Sequence, residues 1–140
     1  MRFALVLAFL ISFLFNDANA QLDKSRYTTY LDATFEETIK RKAIYVRTLT
    51  AVNDSLLDAV VHEIETNLLK MKGKYILRTE KLMEHGLFIY YYTSGKIESE
   101  GMYEYGYKMG AWKRFTAQGV QRPDRFYKAE RSEMLRALDQ

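Results

Sequence analysis

The chain has 140 residues, no cysteine, and 21 basic against 18 acidic side chains, so its formal net charge is only +3. The lack of cysteine excludes the disulfide framework on which small exported domains often depend. Without a dense Lys/Arg block, the mild basicity also argues against nucleic acid as a partner. We therefore expect one domain that is stabilised by packing alone.

The first twenty residues have the pattern of a secretory signal peptide. Arg2 precedes an uncharged apolar run from Phe3 to Phe15. That run is shorter than the roughly 20 apolar residues that a membrane span needs, and Ala18 and Ala20 supply the small side chains of a cleavage site. We expect cleavage after Ala20, which places the protein in the periplasm or outside the cell.

Residues 21–63 are predicted to contribute the first strands of a sheet. Tyr27 to Leu31 and Ala43 to Val52 have the aromatic and β-branched composition of strands. The stretch between them, Asp32 to Lys42, is predicted to be a connection or a short helix. The spacing of Phe35 and Ile39 also leaves a longer helix open.

The second part of this region continues the strand pattern. Asn53 to Ser55 has turn chemistry, because its side chains are able to bond to neighbouring backbone. Leu56 to Ile64 is compatible with helix or strand, and we favour strand because the repeated segments follow immediately.

Residues 64–127 contain three related segments, which predict an array of one supersecondary unit. Glu65 to Tyr75 is echoed by Thr93 to Tyr103, and a weaker copy covers Ala117 to Tyr127. Apolar and charged residues alternate, with Leu69, Met71, Gly73, Tyr75 and Leu77 on one face and Lys70, Lys72 and Lys74 on the other. The alternation predicts one buried and one solvated face. The residues predicted to have structural roles in the repeats are Gly73, Gly95, Gly101, Gly110, Trp112 and Gly119.

Turns and aromatic strands separate these segments. Leu87 to Thr93 and Ala111 to Thr116 are predicted strands, and the turns that follow end in Gly95 and Gly119, where positive φ is expected. Residues 128–140 are predicted to form a helix. The predicted fold is therefore mainly β, an antiparallel meander of β-hairpin repeats with a short C-terminal helix.

The segment from Tyr91 to Tyr103, followed by Gly106 to Trp112, resembles the bacterial variant of the MORN repeat. The resemblance is good over Phe88 to Val120. It weakens where Asn67 replaces the turn glycine and where Arg125 replaces the second glycine. Such a resemblance implies a meandering antiparallel sheet used for interactions, and it implies no catalytic residues. The family is also labelled antitoxin-like.

Tyrosines are the candidate functional residues. Tyr90, Tyr92, Tyr105 and Tyr107 form our hypothetical binding platform for a peptide or a glycan. Strand alternation sends Tyr90 and Tyr92 to the face opposite Tyr91, so at least one pair of rings should be partly exposed. The competing interpretation is that nearly all of these rings serve cross-strand packing.

We predict no catalytic, cofactor-binding or metal site. Neither His62 nor His85 stands in a metal-binding motif. Glu98 and Glu100 point the same way from one strand, which leaves a carbohydrate-directed enzyme as an alternative, although an open face suits acid/base chemistry poorly. The basic stripe formed by Lys70, Lys72 and Lys74 is either a solvated face or a contact for anionic lipid or polysaccharide.

These observations predict an exported, non-catalytic interaction module without a cofactor. Its expected partner is another envelope or secreted protein, and nucleic acid is not expected. The alternative is an immunity or antitoxin-like inhibitor of an exported toxin.

The export prediction concerns the mature N-terminus. Because the apolar run and the Ala18-x-Ala20 site occur together, protein recovered from its native host should begin at Gln21. Intact-mass measurement tests this expectation, and a mass that retains Met1 to Ala20 contradicts it.

Overall fold

The computed structural model of the chain describes residues 26–128, in which nine strands form one antiparallel sheet. The signal peptide predicted over 1–20 lies outside the described residues, and so does the helix predicted over 128–140, apart from Lys128. The mainly β fold class is confirmed. The strands are β1 (Arg26–Leu31), β2 (Tyr45–Ala51), β3 (Leu56–Glu63), β4 (Leu69–Arg78), β5 (Lys81–Glu84), β6 (Gly86–Tyr91), β7 (Ile97–Glu104), β8 (Tyr107–Phe115) and β9 (Gln121–Tyr127).

Strand order follows the chain, β1-β2-β3-β4-β6-β7-β8-β9, while β5 pairs with β4 beside this path. All neighbours run antiparallel, as expected for strands joined by short turns. None of the helical structure within 26–128 is long and apolar enough to cross a membrane.

The connection between β1 and β2 contains a 3-10 helix at Lys40–Lys42 and no longer helix. Phe35 has φ of 66°, a left-handed backbone conformation that a right-handed helix does not include. The longer helix that the spacing of Phe35 and Ile39 left open is therefore not formed. The Asn53 turn is present, because its Oδ1 accepts hydrogen bonds from the backbone N–H groups of Ser55 and Leu56 at 3.0 and 2.9 Å.

The turns after Tyr92 and Thr116 have the same backbone hydrogen bonds. Gly95 N–H donates to the carbonyl of Tyr92 at 2.9 Å, and Gly119 N–H donates to that of Thr116 at 2.8 Å. Both glycines have positive φ, as predicted, and Asn67 adopts φ of 57° at the corresponding place in the first copy. Asparagine tolerates this conformation better than most non-glycine residues. Three-residue loops that end in a left-handed residue are a common hairpin connection.

The end of β4 differs from the expected alternation. Leu77, expected on the buried face, is 43% exposed. At this point β4 pairs with β5, which the sequence did not predict, and Leu77 lies outside the core cluster. The connecting residues Thr79 and Glu80 both have positive φ, the geometry of a two-residue type I′ hairpin turn. Neither residue is the glycine or asparagine that usually marks such a turn, so the hairpin gave no clear sequence signal.

The core lies on one face of the sheet, where aromatic rings lie directly over glycines of a neighbouring strand. A Cβ at Gly101 would stand 2.3 Å from the Trp112 ring, and a Cβ at Gly73 would stand 2.5 Å from the Phe88 ring. Phe88 is 0% exposed and Trp112 is 2% exposed. The buried residues that form this core cluster are Leu31, Leu49, Leu57, Ala59, Val61, Met71, Tyr75, Phe88 and Trp112.

The contact between Gly101 and Trp112 gives a stability prediction. Gly101→Ala should lower the free energy of unfolding by about 1–3 kcal/mol, because the added methyl group overlaps the indole ring. Glu100→Ala, on the opposite face, should cost less than about 1 kcal/mol. Chemical denaturation measures both values.

A double-mutant cycle isolates the overlap between a methyl group at position 101 and the Trp112 ring. Trp112→Ala alone should cost about 3–5 kcal/mol, and in that background Gly101→Ala should cost nothing, since the ring it strikes is gone. Strict additivity of the two substitutions would contradict the close contact.

Candidate functional site

A cavity of about 380 Å³ opens on the aromatic face of the sheet. Strands β4, β6 and β7 contribute Met71, Tyr75, Tyr90 and Tyr103. Leu31 of β1 and Arg47 of β2 also line the cavity, and the connection after β1 and the short strand β5 complete the lining. The residues from those two segments are Thr34, Phe35, Glu36, Glu37, Leu82 and Glu84. We call this space the tyrosine cavity.

Aromatic contacts fix the tyrosine rings. The centroid of the Phe88 ring lies 5.5 Å from that of Tyr75 and 4.7 Å from that of Tyr103, both edge-to-face. The Tyr90 centroid lies between 6.2 and 6.4 Å from those of Phe35, Phe88 and Trp112. Such edge and offset arrangements add stability beyond area burial. The cavity therefore has rings held in position by several partners.

The connection after β1 folds over one side of the cavity. Asp32 Oδ1 accepts hydrogen bonds from the backbone and side chain of Thr34 at 2.8 Å, and these bonds lower the pKa of the Asp32 carboxyl. The turn directs Phe35 onto the sheet, where it stacks on Tyr45 with centroids 4.7 Å apart. The sequence pattern did not identify Phe35 as a contact of this face, because the spacing of Phe35 and Ile39 indicated only a possible helix and not where the connection folds.

A buried arginine lies beside the tyrosines. Arg47 is 6% exposed, and its guanidinium forms an ion pair with Glu37. Arg47 Nε donates a hydrogen bond to Thr29 Oγ1 at 3.0 Å, and the guanidinium carbon lies 5.0 Å from the Tyr75 ring centroid. Sequence reasoning missed Arg47. The available signal was that Arg47 alternates with β-branched residues and shares the buried face of β2 with Leu49.

Three tyrosine hydroxyls of the cavity stay protonated at neutral pH. Burial raises the pKa of Tyr90 far above its usual value, and burial likewise raises the pKa values of Tyr75 and Tyr103. The hydroxyl oxygens of Tyr90 and Tyr103 lie 3.5 Å apart. The cavity thus offers neutral hydroxyl groups that both donate and accept hydrogen bonds.

The four platform tyrosines do not line one common cavity. Tyr90 lines the tyrosine cavity, whereas Tyr92 lines a second cavity and donates its hydroxyl proton to the carbonyl of Phe115 at 2.8 Å. Tyr105 occupies the turn between β7 and β8, with its ring centroid 4.8 Å from that of His85. Tyr107 begins β8 and pairs with Glu104. A binding role for each of these four tyrosines therefore stays a prediction.

Other charged residues from the sequence analysis lie apart from the tyrosine cavity. Lys74 pairs with Asp58 at 2.5 Å, and Lys113 pairs with Glu100 at 3.3 Å. Glu98 lines the second cavity, so the structure does not place it with Glu100 in one pocket. Residues 26–128 contain no group of three metal-ligating side chains.

The glycines named from the repeats occupy different kinds of position. Gly73 and Gly101 lie beneath rings, whereas Gly95, Gly110 and Gly119 have positive φ.

Comparisons with protein-family models, curated proteins and solved structures give no significant match for the chain.

The raised tyrosine pKa values predict a loss of stability in alkali. Above a pH of about 10, unfolded tyrosine releases its proton, while burial keeps Tyr90 protonated in the folded protein. Stability should therefore fall as pH rises above about 10, by up to about 1.4 kcal/mol per pH unit for each such group.

Paired variants assign this effect to Tyr90. Tyr90→Phe should make the decline in melting temperature between pH 9.5 and 11 less steep. The corresponding change in the slope of the free energy of unfolding is at most about 1.4 kcal/mol per pH unit, the limit for one titrating group. Tyr27→Phe, at a ring that is 49% exposed, should leave the decline unchanged. Identical profiles for wild type and Tyr90→Phe would show that this hydroxyl is not held neutral.

Proposed function

We propose that the protein is a non-catalytic binding module that receives part of a partner protein in the tyrosine cavity. The observation that carries the proposal is a cavity of about 380 Å³ whose rings are fixed and whose hydroxyls stay neutral. Its volume falls at the lower end of the roughly 300–1,000 Å³ of small-ligand sites. Such a space suits one anchoring side chain better than a bulky ligand.

The tyrosines and Arg47 suit recognition better than acid/base catalysis. A general acid or base works best with a pKa near the operating pH, whereas burial moves the tyrosine pKa values further upward. Arg47 is occupied by Glu37 and Thr29. Fixed aromatic rings with polar tips are instead typical of the residues that dominate protein interfaces.

The proposed partner is another envelope or secreted protein. This choice depends on the signal-peptide pattern of Met1 to Ala20, because an exported module meets its partners outside the cytoplasm. We also propose that the segments are MORN-like repeats. Their support is the shared positive φ at Asn67, Gly95 and Gly119, together with the two glycines that lie beneath rings.

Hydroxyl-deletion variants test the binding role with little change in packing. Immobilised wild-type protein should retain a specific partner from envelope extract, and the double variant Tyr90→Phe with Tyr103→Phe should retain at least fivefold less. Both substitutions keep the aromatic rings, which contact Phe88 and Trp112 of the core. Quantitative mass spectrometry of the retained proteins provides the measurement.

Leu87→Ala is the matched control, because Leu87 is 48% exposed and does not line the tyrosine cavity. Equal retention by wild type and the double variant would overturn the proposal. Equal loss in the Leu87→Ala control would place binding elsewhere. A retained partner that is a toxin, and that loses activity on binding, would identify the module as the antitoxin-like inhibitor.

A further inference from the structure

The second cavity, of about 210 Å³, lies on the same face near the end of the sheet and has a strongly cationic lining. Four cations line it, against one carboxylate. The four cationic residues are Lys108, Arg114, Arg122 and Arg125, and the carboxylate belongs to Glu98. None of its lining residues belongs to the tyrosine cavity.

Strand register brings two of the arginines face to face. Arg114 of β8 is the direct cross-strand partner of Arg122 of β9, and Arg125 is the partner of Trp112. Like charges directly opposite each other destabilise a sheet. The repulsion between Arg114 and Arg122 is therefore unfavourable, and a bound anion would offset it.

The described part of the chain supplies no ion-pair partner to these cations. The three ion pairs within residues 26–128 involve Arg47, Lys74 and Lys113 instead. Arg114 Nε is buried and has no hydrogen-bond partner among the described residues. A buried donor without a partner is costly, and guanidinium donors are especially suited to oxyanions.

Aromatic rings hold one of the cations of this cavity in place. The Lys108 ammonium lies 4.2 Å from the Trp112 ring centroid and 5.3 Å from that of Tyr127, which fixes its position. Tyr92 closes another side through its bond to the Phe115 carbonyl.

We infer that this cavity, formed where Arg114, Arg122 and Arg125 meet beside Trp112, binds the carboxylate or phosphate group of a small ligand. An arginine fork binds either group in a bidentate manner. The volume of 210 Å³ holds about seven water molecules at about 30 Å³ each. The second cavity therefore admits a small polyanion. This inference does not depend on the tyrosine cavity or on the partner proposed for that cavity.

Isothermal titration calorimetry at constant ionic strength tests this site on the full chain. The probes are inorganic phosphate and citrate, which separate the two sources of oxyanion, and chloride is the background salt. Saturable binding of either probe is expected. Arg122→Gln and Arg114→Gln should each weaken it at least tenfold.

Arg41→Gln is the matched control, since Arg41 is an exposed arginine of the 3-10 helix away from the cavity. It should leave the affinity within twofold of wild type. Arg122→Lys retains the charge and loses the fork, so an intermediate affinity is expected from a bidentate contact.

A thermal scan in chloride without phosphate or citrate provides a second, independent result. Arg122→Gln should melt no lower than wild type in chloride, because it removes the repulsion from Arg114, and it should lose the stabilisation that the bound probe gives to wild type. The inference is overturned if neither probe binds saturably. It is also overturned if Arg41→Gln weakens binding as much as Arg122→Gln.

Discussion

The close contact between aromatic rings and strand glycines is the constraint on which this sheet depends. A single sheet has to bury one face with side chains of its own, and each large ring removes about 150–250 Å² from water when buried. Phe88 and Trp112 reach nearly complete burial because Gly73 and Gly101 have no side chain in the space that the rings occupy. Glycine weakens a strand by itself, so its presence at both places is explained by the packing above it.

The aromatic rings of the buried face border a different cavity at each end of the sheet. Near β2, the long connection after β1 brings Phe35 over the tyrosines, and an ion pair between the buried Arg47 and the exposed Glu37 lies on that side. Removing Glu37 would leave the Arg47 guanidinium buried without its carboxylate, which is disfavoured. Arg47, which lines the tyrosine cavity, therefore already has its own partners in Glu37 and Thr29.

At the other end, the repeat pattern changes and the chemistry changes with it. Arg125 stands where the repeats would have their second glycine, and it faces Trp112. The charged side chain instead joins Arg114 and Arg122 around the cationic cavity. The residue that weakens the resemblance to a repeat is thus also one that gives this end of the sheet its distinct charge.

The sequence by itself determined most of the strands, the turns that end in Gly95 and Gly119, and the buried face of β4 as far as Tyr75, because alternation and positive-φ positions are local properties of the chain. It also marked Gly101 and Trp112 as structural residues. Tertiary structure alone decided that β5 pairs beside β4, that Phe35 and Arg47 meet the tyrosines, and that Arg114 faces Arg122. These contacts depend on strand register and on the path of a long connection. Neither has a local signature, since one shift in register changes every cross-strand neighbour.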